Sequence, residues 1–84
     1  MAKDTNKDYY QMSLAEIRKD RGLSQEQLGE ITGTSRPTIY LIEAKKQIPK
    51  IDTAIAICKA LGITLVEFSH SIGLDVSGLP NRDD

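Results

Sequence analysis

The stretch TGTSRPTIYLIEAKK, residues 32–46, holds the side chains best suited to chemistry on a ligand. Arg36 carries a planar, permanently charged fork of donors, and Pro37 follows it. Tyr40 offers a ring with a hydroxyl, and Leu41 an aliphatic surface. Lys45, Lys46 and, a little further on, Lys50 supply point charges. Set against Glu43, these cations give residues 36–50 a local net charge of +3. Residues 67–84 hold Glu67, Asp75, Asp83 and Asp84 against Arg82, a local net of −3. The chain as a whole is nearly neutral, with 11 Lys and Arg against 12 Asp and Glu. That balance argues against a tail that coats polyanions indiscriminately, while the separation of charge can orient the chain on one.

Other chemistries find no constellation to perform them. There is no glycine-rich phosphate loop, no metal-ligand cluster and no nucleophile beside a base, so neither an enzyme nor a cofactor site is expected. Cys58 is a lone cysteine, which excludes an internal disulfide and a thiolate metal cage. Its neighbours Ile55, Ile57 and Leu61 predict a buried thiol that packs as a small apolar residue. His70 stands near a helix end and reads as a surface or interface residue. Asp52 and Glu67 are helix-start carboxylates. No apolar run approaches the roughly 18 residues of a membrane span, and no signal-peptide pattern opens the chain, so a soluble cytoplasmic protein is expected.

Eighty-four residues make one domain. A chain of this size buries only about 60–65% of its unfolded surface and gains from dimerising. The elements that must position the residues above are all helical. Ser13 and Glu16 form a capping box, with Met12 and Ile17 as staple, and start a helix over 14–21 that Gly22 ends. Ser24 and Gln27 repeat the device, with Leu23 and Leu28 as staple, for a helix over 25–32 ended by Gly33. A third helix covers 36–44. A fourth follows Pro49, with Ile51, Ala54, Ile55, Cys58 and Leu61 on one face, and stops at Gly62. Thr64 and Glu67 cap a fifth over 65–72, stapled by Ile63 and Phe68 and ended by Gly73. The expected organisation is a flexible N-terminal segment over 1–12, a compact all-α helix-turn-helix domain over 13–73 and an acidic C-terminal tail over 74–84.

The second and third helices are joined by a very short turn around Gly33, Thr34 and Ser35. Gly29 sits inside the second helix, where glycine costs about 1 kcal/mol relative to alanine. Close approach of the following helix would compensate. With Ile39 and Ile42 as the apolar contacts beyond, this is the spacing of a helix-turn-helix. Residues 14–68 resemble the Xre-type helix-turn-helix family, the five-helix domain of the lambda and 434 repressors. GLSQEQLGE, the IE of the third helix and KALGITLVEF carry the resemblance together, over about two-thirds of the chain. One departure is Ala44-Lys45, where the family often has Asn-Gly. Pro37 and Leu41 also stand where the family is often polar.

The resemblance implies that the third helix enters the major groove of DNA. At about 100° per residue, Arg36, Pro37, Tyr40, Leu41 and Ala44 share one arc of that helix, and Thr38, Ile39, Ile42 and Glu43 the other. Arg36 can donate two hydrogen bonds to guanine, Leu41 can pack on a thymine methyl, and Tyr40 can do either or reach a phosphate. Base contacts are therefore expected from Arg36, Pro37, Tyr40 and Leu41. Backbone contacts are expected from Gln25, at a family phosphate position, and from Ser35, Thr38, Lys45, Lys46 and Lys50. Arg18 and Glu43 match family positions that form a structural ion pair.

The expected function is a DNA-binding regulator, a repressor, that binds a pseudo-palindromic double-stranded DNA operator as a homodimer. Ile72, Leu74 and Val66 are the expected dimer contacts. Two other readings stay open. The acidic tail suits an antitoxin that binds a toxin partner, which a co-encoded toxin gene would reveal. Exposed Tyr40 and Leu41 also suit an interaction module that has lost DNA binding, although the local charge of +3 opposes it.

Overall fold

The computed structural model of the chain describes residues 8–80. Residues 1–7 of the N-terminal segment and 81–84 of the tail, with the charges of Arg82, Asp83 and Asp84, lie outside the described residues. The described part is all-helical. A 3₁₀ turn, Tyr9–Gln11, precedes α1 (Leu14–Asp20), α2 (Gln25–Thr32), α3 (Arg36–Glu43), α4 (Ile51–Leu61) and α5 (Leu65–Ser71). Each helix expected from the sequence is present, with ends that agree within a residue or so.

Local chemistry explains the starts. Ser13 accepts from the Glu16 amide at 3.2 Å while Glu16 accepts from the Ser13 amide at 2.8 Å. Ser24 with Gln27 and Thr64 with Glu67 repeat this reciprocal bonding. Each box satisfies two amides that the first helical turn leaves without intrahelical partners. The ends share one pattern too. After each helix an amide bonds back to the carbonyl five residues before it: Leu23 to Arg18, Thr34 to Gly29, Lys46 to Leu41, Ile63 to Cys58 and Leu74 to Ser69. The residue before each of those amides has positive φ, as this type of helix end requires.

The core is one cluster in which Leu14, Ile17, Leu28, Ile39, Ile42, Ile57 and Leu61 lose essentially all contact with water. Cys58 joins its edge, and burial together with the negative charge of Glu67 pushes the thiol pKa up. The expected inner face of α4 needs correction. Ile57, left off that face, is fully buried, while Ile55 is 42% and Ile51 65% exposed. With Ala54, Ile57, Cys58 and Leu61 inside, the buried arc rotates away from Ile55, which precedes Ile57 by two residues, about 200° around the axis. Ile51 shares the edge of that arc, but it lies in the first turn.

The N-terminal segment also differs from its flexible expectation where it is described. Tyr9 is buried, and its hydroxyl accepts from Arg21 Nη2 at 2.7 Å. The Arg21 guanidinium lies 5.1 Å from the Tyr9 ring centroid, and its Nε donates to the Leu61 carbonyl at 2.7 Å. One arginine thus ties the 3₁₀ turn, α1 and the end of α4 together. Beside it, Tyr10 meets His70 edge to face at 5.0 Å between ring centroids, which fastens the turn to α5. The signal in the sequence was slight: two tyrosines after Asp8, whose side chain caps the turn by accepting from the Tyr10 amide.

Candidate nucleic-acid interface

The turn between α2 and α3 is very tight, and two glycines make it possible. Gly33 caps α2 with φ of 69°. Gly29 lies under the turn: a Cβ there would stand 2.9 Å from the Thr34 carbonyl oxygen and 3.2 Å from the Ser35 carbonyl carbon. The close partner is therefore the backbone of the turn and the first nitrogen of α3, rather than the body of the helix. Ser35 then caps α3, accepting from the Thr38 amide at 3.3 Å, and its hydroxyl lies 3.0 Å from the Thr38 hydroxyl. Pro37 fits the first turn, where a missing amide hydrogen costs nothing.

Seated in this way, α3 turns two different faces to its surroundings. Ile39 and Ile42 are fully buried against the core. Arg36, Pro37 and Tyr40 are exposed, Tyr40 to 53%, while Leu41 is half-buried at the margin. Of the residues placed on one arc by spacing alone, Arg36, Pro37 and Tyr40 are exposed, while Leu41 and Ala44 are partly covered.

Glu43 anchors the other end of the helix. Its carboxylate accepts from Arg18 Nε at 2.6 Å and from Arg18 Nη2 at 3.2 Å, and the two side chains are only 8% and 6% exposed. The third Arg18 nitrogen donates to the Leu23 carbonyl at 2.8 Å. Gln25 completes the group by donating from its amide to Glu43 at 3.0 Å. The Gln25 side chain, expected on a phosphate, is thus engaged inside the protein. Its second amide hydrogen and the backbone amide at the start of α2 are what it can still offer a ligand.

The cations beyond α3 are spread out. Lys46 and Lys50 are exposed, and Lys50 precedes α4 without a side-chain cap bond. Lys45 has φ of 63°, at the position where the other four helix ends have glycine. Its aliphatic stem lies over Gly73, near the end of α5. The residues expected at a dimer contact also separate. Ile72 is 5% exposed and belongs to the core, because it follows Phe68 by four residues and shares its inward face. Leu74 is half-buried against the same cluster, while Val66 and Leu65 face out at 41% and 42%. Among the described residues no group of three His, Cys, Asp or Glu could hold a metal ion, and no helix is long and apolar enough to cross a membrane.

A family model described as helix-turn-helix matches residues 14–68, the segment that contains this whole arrangement. The chain belongs to the Xre-type, lambda-repressor-like helix-turn-helix family. The HTH-type transcriptional regulator PuuR of Escherichia coli (strain K12) is 40% identical over 55 residues, 66% of this chain and 30% of PuuR. The HTH-type transcriptional regulator YgzD of Bacillus subtilis (strain 168) is 40% identical over 50 residues, 60% of this chain and 76% of YgzD. An HTH-type transcriptional regulator of Methanothermobacter thermautotrophicus is 39% identical over 54 residues, 64% of this chain and 78% of that protein. The chain thus matches under a third of the length of PuuR. No solved structure is significantly similar to it.

Proposed function

We propose that the chain is a sequence-specific DNA-binding transcriptional regulator that places α3 in the major groove. The observation that carries this reading is the division of α3 into a buried face of Ile39 and Ile42 and an outward face of Arg36, Pro37 and Tyr40. The outward face combines a guanidinium that can read guanine with a ring that can pack on a base or reach a phosphate. Leu41 at its margin can meet a thymine methyl. Few polar readers are present, so part of the selectivity comes from methyl contacts and from DNA shape.

Affinity is a separate matter. Lys46, Lys50 and the stem-anchored Lys45 flank the reading face and suit phosphates. Ser35 and Thr38 stand at the start of α3, where amides and hydroxyls can also meet the backbone. Names of the relatives support a regulator. In this reading the protein works in the cytoplasm as a homodimer on a pseudo-palindromic operator, and it represses by occupying the promoter.

Selection of bound duplexes from randomised DNA tests the reading. The expected result is a two-fold-related sequence with half-sites about one helical turn, roughly 34 Å, apart. Equal affinity for the selected duplex and for random DNA at the same salt concentration overturns it.

A further inference from the structure

Four side chains of α3 can hydrogen-bond, and two of them are engaged within the protein. Glu43 accepts from Arg18 and Gln25. Thr38 is half-buried, and its hydroxyl lies 3.0 Å from that of Ser35. The helix contains no Asn or Gln, the side chains that bond adenine at two positions. Its one carboxylate, the kind of acceptor that selects the cytosine amine, is the engaged Glu43. Arg36 and Tyr40 remain as exposed polar groups. They neighbour each other, about 40° apart around the helix axis. Pro37 and Leu41 are likewise four residues apart, and they lie about 100° and 140° from Arg36. The outward face thus has one edge that can hydrogen-bond and a second edge whose side chains have neither donor nor acceptor.

We propose that this face selects one guanine together with the C5 methyl group of a pyrimidine in the adjacent base pair. The inference rests on the DNA-binding reading above and names what that surface accepts. Arg36 donates to guanine O6 and N7, the pair of acceptors that marks guanine in the major groove. Pro37 follows Arg36 directly, and its ring holds a fixed position on the backbone, so it meets the next base pair. The apolar group that a base displays there is the C5 methyl. Covering it with Pro37 and Leu41 removes apolar surface from water and leaves no polar group of these side chains unpaired. Such an edge discriminates poorly between polar groups of similar size. At C4, thymine carries an acceptor and cytosine a donor, and neither side chain can answer either one. Thymine and 5-methylcytosine are therefore bound alike, and unmethylated cytosine less well. Methylation of a cytosine beside that guanine converts a weaker site into a stronger one, which places occupancy under the control of DNA modification.

Four duplexes test this. Each is the site selected from randomised DNA, and they differ only in the pyrimidine beside the guanine whose preference relaxes in Arg36→Ala. That pyrimidine is thymine or deoxyuridine opposite adenine, and 5-methylcytosine or cytosine opposite guanine. Titrations at one salt concentration are expected to show that the methyl group strengthens binding about three- to fourfold in each pair, the gain from burying one methyl group. Exchange of thymine for 5-methylcytosine should change affinity less than the methyl group does. Pro37→Ala and Leu41→Ala should each reduce the methyl effect. Pro37 is exposed in the first turn of α3, where alanine is a good helix former, so Pro37→Ala keeps the fold. Circular dichroism verifies this for both variants.

A methyl effect below about twofold in either pair overturns the proposal. So does a larger effect from exchanging thymine for 5-methylcytosine, because a hydrogen bond would then be reading C4. A methyl effect undiminished in every variant that folds overturns it as well, since the methyl would then act through DNA shape. The same holds for a selected site with no thymine beside that guanine, and for an Arg36→Ala variant in which no base pair relaxes. All of these outcomes leave the DNA-binding reading standing. That reading fails, and the inference with it, when wild type binds no selected duplex better than random DNA.

Discussion

Arg18 and Glu43 stand 25 residues apart in the chain and 2.6 Å apart in space, joining α1 to the last residue of α3. Both side chains are nearly out of water, and Gln25 and the Leu23 carbonyl take up further bonding capacity of the pair. The pair therefore fixes the angle at which α3 leaves the domain. Removing one partner strands the other's charge, which costs about 3–5 kcal/mol at such burial. Glu43→Ala should lower the melting temperature by 10 °C or more, given about 4–8 °C per kcal/mol for a domain of this size. Thermal melting followed by circular dichroism checks it. A variant that melts like wild type but loses DNA binding would place Glu43 on DNA instead.

Gly29 offers a test in which two effects oppose each other. Alanine is the better helix former by about 1 kcal/mol. Its Cβ, however, would sit 2.9 Å from the Thr34 carbonyl oxygen, a backbone atom held by the turn. Thr34 is itself bonded to the Gly29 carbonyl at 2.7 Å, so the turn has little room to yield. The clash should win, and Gly29→Ala should destabilise by about 1–3 kcal/mol, as overpacking does. Urea unfolding measures the sign directly, and a stabilised variant would mean that the turn relaxes.

Lys45 occupies a left-handed conformation, φ 63°, while Gly22, Gly33, Gly62 and Gly73 hold the equivalent place after the other helices. A side chain there costs about 1–2 kcal/mol that glycine avoids. Part of this is offset by the lysine stem lying over Gly73. Lys45→Gly should therefore raise stability by up to about 1 kcal/mol, visible as a higher urea midpoint with an unchanged slope. A fall in the midpoint would show that the stem contact outweighs the strain.

How much of this was legible in the sequence depends on how local each cause is. Capping boxes such as Ser24 with Gln27 are read within four residues, and the helix starts followed from them. The glycine ends were equally plain, but Lys45 carries no mark of the conformation it adopts. Periodicity placed Ile39 and Ile42 inward and Arg36 and Tyr40 outward. It failed for Ile55, because the rotation of α4 is set by packing partners distant in sequence. Tyr9 and Arg21 were missed for the same reason: their bonds to each other and to Leu61 span segments that no local pattern connects. Gln25 was placed on the right helix start, yet its side chain answers to Glu43, a partner from another helix.

Cys58 gives the fold a dependence on alkaline pH. Burial, with the charge of Glu67 second, raises its thiol pKa, so the native state keeps a proton that the unfolded chain gives up first. Stability contributed by the neutral thiol is complete below the unfolded thiol pKa and declines as pH rises from there through the folded value. Cys58→Ala removes this titration. Urea midpoints at neutral and at alkaline pH should therefore diverge more for wild type than for the variant, and equal divergence would show that Cys58 titrates as an ordinary thiol.

Arg36 and Lys46 separate reading from attraction on the proposed DNA surface. Arg36 stands at the start of α3, exposed and able to donate twice to one guanine edge. Lys46 lies beyond the helix end, where a flexible ammonium can meet a phosphate but is poorly placed for a base. Arg36→Ala should weaken the selected site by about 1–3 kcal/mol, leave random DNA little changed and relax preference at one base pair. Lys46→Ala should weaken both alike and flatten the dependence of log affinity on log salt by about one unit. Titrations of both variants against the selected and a scrambled duplex at several salt concentrations distinguish the roles. An equal loss on both duplexes for Arg36→Ala would make it a phosphate contact, and base reading would then fall to Tyr40 and Leu41. An unchanged salt slope for Lys46→Ala would leave Lys50 and Lys45 as the cations that meet the phosphates.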